Sequence, residues 1–573
     1  MTVTLRFKDN DTFKVDVGPR DTALCKQVPG MRAGRLDVGT GEVEWTCPAT
    51  WYHAVVCRAV FGDRLTYDDA VCRWGYLESL REQNRLSAKE VPKADTDIRL
   101  HPFQRIGVTW LLGGGGILAD DMGLGKTVQA LAAIEDSRRS EYPAFEAGDA
   151  LVVTTSSMKY KWAEEAAIWA PSWTSVVVVD GSADKRSKAI EKAPPGTLLI
   201  INWESLRLHT RQSGYGSITL TPAERAEKEL NRRNIKVVIA DEAHRAKDPK
   251  SKQARSLWQV SKGAVSWALT GTPVANVPND LWALLHLMDP TVWASRSAFQ
   301  DRYVYGFTAD WGFEPVGWRA ENKEELFRFV DLYMLRRSKA EVLPDLPAKT
   351  YETRTLDLTS KQAAAYRDLR KEMMTTVGGD LLTTDNTLTQ LIRLQQTASA
   401  TPVVVDGEVV GLEKPSNKVA ALLEILSEGD SEPVVVFAQS RKLIDLAEAE
   451  LDSKGISSVR ITGSEGSELR ALNVQTFQEG RVRVALCTFG AGSEGITLTR
   501  ASTAVFLQRP WSLVQSRQAE DRIHRIGQDA DKVLIIDLVS KGTVDALVHE
   551  ALVVKGENLE SVVRDRERLA ALL

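Results

Sequence analysis

The sequence carries no net basic charge that would advertise a polyanionic partner. Its 73 lysines and arginines stand against 77 acidic residues, for a formal charge of −4. Nucleic-acid binding, if it occurs, has to rest on local patches. No CxxC pair is present among the five cysteines, Cys25, Cys47, Cys57, Cys72 and Cys487. Irregular spacing of the first four argues against a zinc site, even with His53 nearby, and free buried thiols fit a reducing compartment. Apolar runs such as Ser175–Val179 fall far short of the ~18 residues of a membrane span. The stretch Met1-Thr2-Val3-Thr4-Leu5-Arg6 has no signal-peptide core, and there is no short-period repeat. These absences point to a soluble, membrane-free protein, expected in the cytoplasm of a bacterial or phage-infected cell; a nuclear setting reads the same.

What is present is an ordinary globular composition, 43% hydrophobic and 26% charged over 573 residues, enough for roughly three or four domains. Residues 1–95 read as a small N-terminal module. Leu5, Phe7, Phe13 and Val15 alternate on two candidate strands around Asp9-Asn10-Asp11, and Trp45, Trp51, Tyr52 and Trp74 could supply a core. A linker is expected over Ser87–Asp97. Residues 96–290 alternate short apolar runs with helical patterns: Ile117–Ala119, Leu151–Thr154, Ser175–Val179, Leu198–Ile201, Val237–Ala240 and Trp267–Thr270. Uninterrupted apolar strands separated by helices predict a parallel sheet covered on both faces.

Residues 291–415 lose that alternation and read as a helical insertion and bridge, with Leu326, Phe329, Val330 and Tyr333 on one helix and Leu388, Leu391, Ile392 and Gln395 on another. Val403–Val410 predicts a hairpin turning at Asp406-Gly407. From 416 to 573 the alternation resumes at Val434–Phe437, Val459–Ile461, Val482–Cys487, Ala504–Leu507 and Val533–Leu538. A helix over Arg441–Lys454, with Leu443, Ile444, Ala447 and Leu451 on one face, stops at Gly455. The fold class is therefore α/β, with two parallel-sheet lobes and a small α+β or β-rich module.

Chemistry concentrates after the first candidate strand. Ala119-Asp120-Asp121-Met122-Gly123-Leu124-Gly125-Lys126-Thr127 leads into a helical pattern at Val128, Leu131, Ala132 and Ile134. Glycines let backbone N–H groups approach phosphates, Lys126 can reach the β/γ-phosphates, and the Thr127 hydroxyl can ligate Mg²⁺. Asp120 stands where the GxxxxGK[ST] pattern wants glycine. Asp241-Glu242-Ala243-His244 closes a later strand, where α/β sheets bind ligands; Asp241 would hold Mg²⁺ through water and Glu242 would orient or deprotonate the attacking water. Thr270-Gly271-Thr272-Pro273 ends another strand in a turn that can sense phosphate state. In the second lobe Arg522 and Arg525 lie three apart, on one face of a helix if the segment is helical, and guanidinium groups suit γ-phosphate charge.

Together these pieces resemble the Swi/Snf-type family of superfamily-two helicase-like ATPases over residues 98–550, in the family's order. His101–Leu111 is similar to the adenine-recognition segment, with Gln104 as base reader. Asp120–Thr127 is similar to the family's phosphate loop, placing Asp121, Met122, Gly123, Leu124 and Gly125 with Lys126 and Thr127 at the nucleotide. Asp241–Lys252 resembles the hydrolysis box with its basic extension, and Leu335–Lys339 with Leu346-Pro347 the bridge between lobes. Gly490–Thr499, including Gly492 and Gly495, resembles the segment coupling DNA contact to the ATP site, as do Pro510-Trp511-Ser512 and Gln518–Gln528. The N-terminal module loosely resembles the HARP-like module of annealing-helicase relatives, through Phe13–Val17, Val28-Pro29-Gly30, Arg35 and Trp45; an unrelated β-rich domain is the alternative.

The resemblance implies ATP and Mg²⁺ as cofactors, Glu242, Lys126, Arg522 and Arg525 as catalytic residues, Thr127 and Asp241 as metal ligands, and Thr270, Gly271, Thr272, Gly492, Gly495 and Gln518 as coupling residues. It implies translocation on double-stranded DNA, with branched or single-stranded DNA left open. Lys247, Lys250, Lys252, Arg336, Arg337 and Thr154 are the DNA candidates, against a reading of the cation clusters as solvated faces. The alternatives are a strand-separating 3′–5′ helicase of DNA or RNA and a translocase that displaces a DNA-bound protein. A monomer is expected.

Overall fold

The computed structural model describes residues 3–36, 43–90, 97, 99–139, 148–273, 278–309, 312–377, 384–405, 408–429, 431–492, 496–554 and 556. Residues 91–96, Asp406, Gly407, Ser493, Glu494 and Gly495 lie outside these, as do the side chains of Arg35 and Leu388. By packing, the chain divides into Met1–Asp121 with Gly125–Ser338, and Met122–Leu124 with Lys339–Leu573. No helix among the described residues is long and apolar enough to cross a membrane.

The first unit contains a seven-stranded sheet in the order Met334–Leu335, Ile117–Leu118, Val265–Leu269, Ile235–Asp241, Asp149–Thr154, Leu198–Asn202, Val176–Val178. Every pair in it is parallel. Its central strands are mostly apolar because both faces are covered. Ala150 and Val152 pack on one side with Ile239, Leu269 and the helix residues Leu131 and Ile134. Leu151 and Val153 pack on the other with Val238, Ala240, Leu281 and Leu285. All the strand ends that carry chemistry point the same way, so the loops after Leu118, Thr154, Asp241 and Leu269 share one edge.

The N-terminal module is α+β. Its five strands run in the order Arg32–Leu36, Val43–Pro48, Thr12–Asp16, Val3–Asp9, Leu65–Tyr67, with Phe7 opposite Phe13 and Leu5 opposite Val15. Helices Trp51–Phe61 and Asp69–Ser87 start at Thr50 and Asp68, whose side chains accept from the N–H groups of His53 and Val71. This module is continuous with the first unit. The Tyr52 ring lies 4.9 Å from both Trp293 and Phe329, its hydroxyl is 2.9 Å from that of Tyr303, and Glu82 pairs with Arg328 at 2.8 Å.

The second unit carries a six-stranded parallel sheet in the order Ala348–Leu356, Lys532–Ser540, Thr503–Phe506, Val434–Ala438, Val484–Thr488, Ser458–Ile461. Val434, Val436 and Ala438 face Leu443, Ile444, Ala447 and Leu451 of helix Arg441–Ser453; Val435 and Phe437 face the opposite side. Gly455 ends that region at φ 69°. Thr401–Val405 and Glu408–Glu413 pair antiparallel.

The segment expected as one bridge over 291–415 is distributed between the units. Val304–Ala309 and Gly312–Trp318 pair as antiparallel strands rather than forming helix. Met334–Leu335 is an edge strand of the first sheet and Ala348–Leu356 an edge strand of the second. Neither reads as a strand in sequence, because one is two residues long and the other has no buried position.

Candidate nucleotide site

The glycine loop follows strand Ile117–Leu118 and opens helix Lys126–Arg139, so the helix's first N–H groups face whatever the loop holds. Gly123 and Gly125 take φ of 86° and 75°, conformations that side chains rarely adopt. A Cβ on Gly125 would lie 2.5 Å from Gln104 Nε2. The amide of Gln104 therefore closes over the loop only because residue 125 has no side chain. Gln104 is itself held at the start of helix Pro102–Leu112, where its Oε1 accepts from His101 N–H at 3.0 Å. Leu124 is fully buried, so it contributes loop backbone rather than a reaching side chain.

Lys126 Nζ donates to the backbone oxygens of Asp120 (2.7 Å) and Asp121 (3.2 Å). Phosphate oxygens can take over those bonds. Burial pulls this ammonium below the ordinary lysine range, while Glu242, Asp120, Asp241 and Asp121 act in the opposite direction. The glycine-loop lysine and the acidic pair thus share one electrostatic environment although more than a hundred residues separate them.

Asp241 ends strand Ile235–Asp241. Its Oδ2 accepts from Thr154 Oγ1 at 2.8 Å and Trp162 Nε1 at 2.9 Å, and its backbone oxygen accepts from Trp203 Nε1 at 2.9 Å. Burial and the neighbouring Glu242 push its carboxyl up to about 6, against those two side-chain donors and Lys126. Glu242 stands in the left-handed region at φ 49° and ψ 49°, unusual for a residue with a side chain and a mark of functional sites. His244 Nδ1 lies 3.3 Å from Glu242 Oε2 and 3.4 Å from Thr270 Oγ1. Thr270 Oγ1 also accepts from the Thr272 N–H at 3.1 Å. A chain of polar contacts thus joins Glu242 and His244 to the turn Thr270–Thr272.

The donor set fits Mg²⁺. Thr127 and Asp241 offer hard oxygens, and the second carboxylate oxygen of Asp241, Oδ1, accepts from Glu242 N–H at 3.1 Å. Because the ion needs the ionised carboxylate, protons compete with it. The Mg²⁺ concentration for half-maximal ATP turnover should rise by up to ~10-fold per pH unit as pH falls through about 6. The raised value means the proton is held up to that pH, so the loss lies on the acid side. Thr154→Val, which removes a bond favouring the ionised form, should move the break to higher pH. A Mg²⁺ requirement that is constant from pH 7 to 5 in both proteins would contradict this assignment.

In the second unit Arg522 and Arg525 do converge, but not as neighbours on a helix. Helix Leu513–Glu520 stops before them, and they sit in the succeeding turns. Nη1 of each donates to the Ile496 backbone oxygen, at 3.3 and 3.4 Å, and Arg522 Nε donates to Gln518 O at 3.1 Å. Gln518 is thereby tied to the arginine turn through its backbone. Beneath the turn, Arg509 bridges Asp537 (2.6 Å) and Glu520 (2.7 Å), and Lys349 bridges Glu520 and Asp521, both at 3.1 Å. Gly492 ends helix Phe489–Gly492.

Two of the DNA candidates have their side chains engaged within the protein. Thr154 is fully buried and donates to Asp241, so it orients that carboxylate and does not face solvent. Arg337 is committed to Asp120, with Nη2–Oδ2 at 2.6 Å. Lys247 lies 3.7 Å from Asp280 and Lys252 3.0 Å from Glu224, while Lys250, Lys252 and Arg336 are exposed. Sequence reading missed Trp162, Trp203, Gln129 and the role of Arg337. The indoles carried one usable signal, since a buried Trp N–H needs an acceptor.

Against known families, residues 79–402 match the SNF2-related domain and residues 417–527 the helicase conserved C-terminal domain. The human protein named DNA annealing helicase and endonuclease ZRANB3 is 31% identical over 483 residues, covering 82% of this chain and 41% of that protein. A Drosophila melanogaster SWI/SNF-related matrix-associated actin-dependent regulator of chromatin subfamily A-like protein 1 is 30% identical, covering 84% of this chain and 58% of that one. The chain therefore spans less than two thirds of these relatives' length. Among solved structures, a Sulfolobus solfataricus SWI2/SNF2 ATPase core in complex with dsDNA is 24% identical, covers 83% of this chain and 97% of its own, and has a TM-score of 0.35.

Proposed function

The chain belongs to the SNF2-related family, with a helicase C-terminal domain following the SNF2-related one, and on that premise we propose that it is a DNA-stimulated ATPase that translocates along duplex DNA. One observation carries the reading. Lys126, Asp241 and Glu242 share an environment at the carboxyl edge of a parallel sheet, beside a glycine loop over which Gln104 closes.

Lys126 exchanges its two backbone acceptors for phosphate oxygens and offsets their charge. Gln104 reads the adenine edge. Glu242 orients the attacking water and takes its proton, a role for which its carboxylate is pre-set by the left-handed backbone. Mg²⁺, held through Thr127 and Asp241, would neutralise charge between the β- and γ-phosphates. Arg522 and Arg525 supply guanidinium groups to the transition state. His244 connects Glu242 to Thr270 and passes the state of the site to the turn Thr270–Thr272. Exposed Lys250, Lys252 and Arg336 are the remaining phosphate contacts on offer.

ATP turnover measured with no polymer, blunt duplex DNA, single-stranded DNA and RNA tests this reading. Duplex should stimulate most. Stimulation by single strands or RNA with duplex inert would favour a strand-separating helicase, and equal rates in all four would remove the DNA-driven motor.

A further inference from the structure

We propose that Arg337 is a positioning residue for the nucleotide, locking the glycine loop and the base-reading segment into one arrangement; this rests on the nucleotide reading of the site given above. Asp120, the residue that departs from the common phosphate-loop pattern, is completely buried. Its carboxylate is gripped by Arg337 through both oxygens, Nε to Oδ1 at 2.9 Å and Nη2 to Oδ2 at 2.6 Å, and by Gln129 Nε2 at 3.1 Å. Such a fork is the strongest and most directional of carboxylate contacts.

The same guanidinium reaches further. Nη2 donates to Gln129 Oε1 at 2.9 Å, Nη1 donates to the backbone oxygen of Phe103, and the group lies 5.4 Å from the Phe103 ring centre. Its own backbone oxygen accepts from Asp121 N–H at 3.0 Å, continuing the pairing in which Leu335 O accepts from Ala119 N–H at 2.7 Å. One residue therefore holds the start of the loop at Asp120 and Asp121, the helix beyond it at Gln129, and the residue preceding Gln104. A Cβ on Gly107 would fall 1.9 Å from Gln129 Oε1 and 3.0 Å from Arg337 Nη2. The base-reading helix thus comes close enough only because residue 107 is glycine. This network explains aspartate at position 120 as the anchor for an arginine 217 positions away.

The test uses the full chain with fluorescent N-methylanthraniloyl-ADP, competition by ADP and GDP, and duplex affinity over a salt series. Arg337→Lys keeps a cation beside Asp120 but loses the fork and the Phe103 contact. It should weaken ADP binding by ~10-fold, the scale lost when supporting contacts of a site are removed, and reduce the preference for ADP over GDP. The salt slope of duplex binding should stay at the wild-type value. ADP affinity within twofold of wild type and unchanged base preference, in a variant with the wild-type melting temperature, would overturn the proposal. A salt slope shallower by about one, with ADP binding intact, would overturn it too and place Arg337 on a DNA phosphate. If Arg337→Lys melts early, Asp120→Asn keeps the shape of the anchor and carries the same expectations and the same contrary outcomes. A wild-type chain that binds no ADP would remove the site reading as well, which separates that failure from this one.

Discussion

Glu242→Gln is expected to keep ATP binding and lose hydrolysis by ~10²–10⁴-fold, the usual weight of a general base. The substitution is isosteric, so packing and the backbone at φ 49° are preserved. What disappears is a carboxylate able to take a proton. The groups that bind nucleotide, Lys126 and Gln104, are untouched, and one acceptor oxygen remains toward His244. Turnover in the presence of duplex DNA, with ATP affinity measured separately, checks the split. Hydrolysis within threefold of wild type would move the base elsewhere. The neighbouring carboxylates are already engaged, since Asp241 accepts from Thr154 and Trp162, and Asp120 is gripped by Arg337.

Arg525→Ala is expected to cost ~10³–10⁵-fold in turnover while leaving ADP affinity at the wild-type level, the signature of a guanidinium that acts on transition-state charge. Arg525 is the cleaner of the two arginines to remove. Arg522 is buried and bonds both Gln518 O and Ile496 O, whereas Arg525 shares the Ile496 oxygen and is partly exposed. Loss of Arg525 leaves Ile496 O with a donor, and the buried network of Arg509, Glu520 and Lys349 beneath the turn stays complete. Unchanged turnover would assign the finger to another residue; weakened ADP binding would mean that Arg525 supports the ground state instead.

The sheets were legible because their strands are covered on both faces. Leu151–Thr154, Leu198–Ile201 and Val434–Phe437 are apolar at every position but the terminal Thr154, a pattern that loops and surface helices cannot carry. The phosphate loop and the acidic pair were legible because their chemistry is local: backbone conformation at Gly123 and Gly125, and two carboxylates at a strand end. Edge strands were not. Ala348–Leu356 pairs with Lys532–Ser540 along its whole length yet buries no residue, so its hydrophobic pattern carries no period-two signal. The paired strands Val304–Ala309 and Gly312–Trp318 expose the apolar side chains of Tyr305, Phe307 and Val316, so their pattern does not alternate apolar-in with polar-out. Arg522 and Arg525 looked helical by spacing, but the helix yields at Glu520, whose carboxylate is taken by Arg509 and Lys349. Arg337 sits in a basic cluster that reads as a polyanion contact. Its real partner, Asp120, is set by the pairing of Leu335 with Leu118, a register that composition and spacing do not encode.

The central claim is a motor in which duplex DNA drives ATP turnover at the site of Lys126, Asp241 and Glu242. The most direct measurement is the steady-state ATP turnover of the intact chain with and without saturating blunt duplex, with Glu242→Gln alongside. The account predicts a low basal rate, stimulation of about tenfold or more by duplex, and no duplex-stimulated turnover in the variant. A wild-type rate that duplex leaves unchanged, or stimulation that survives in Glu242→Gln, would contradict it.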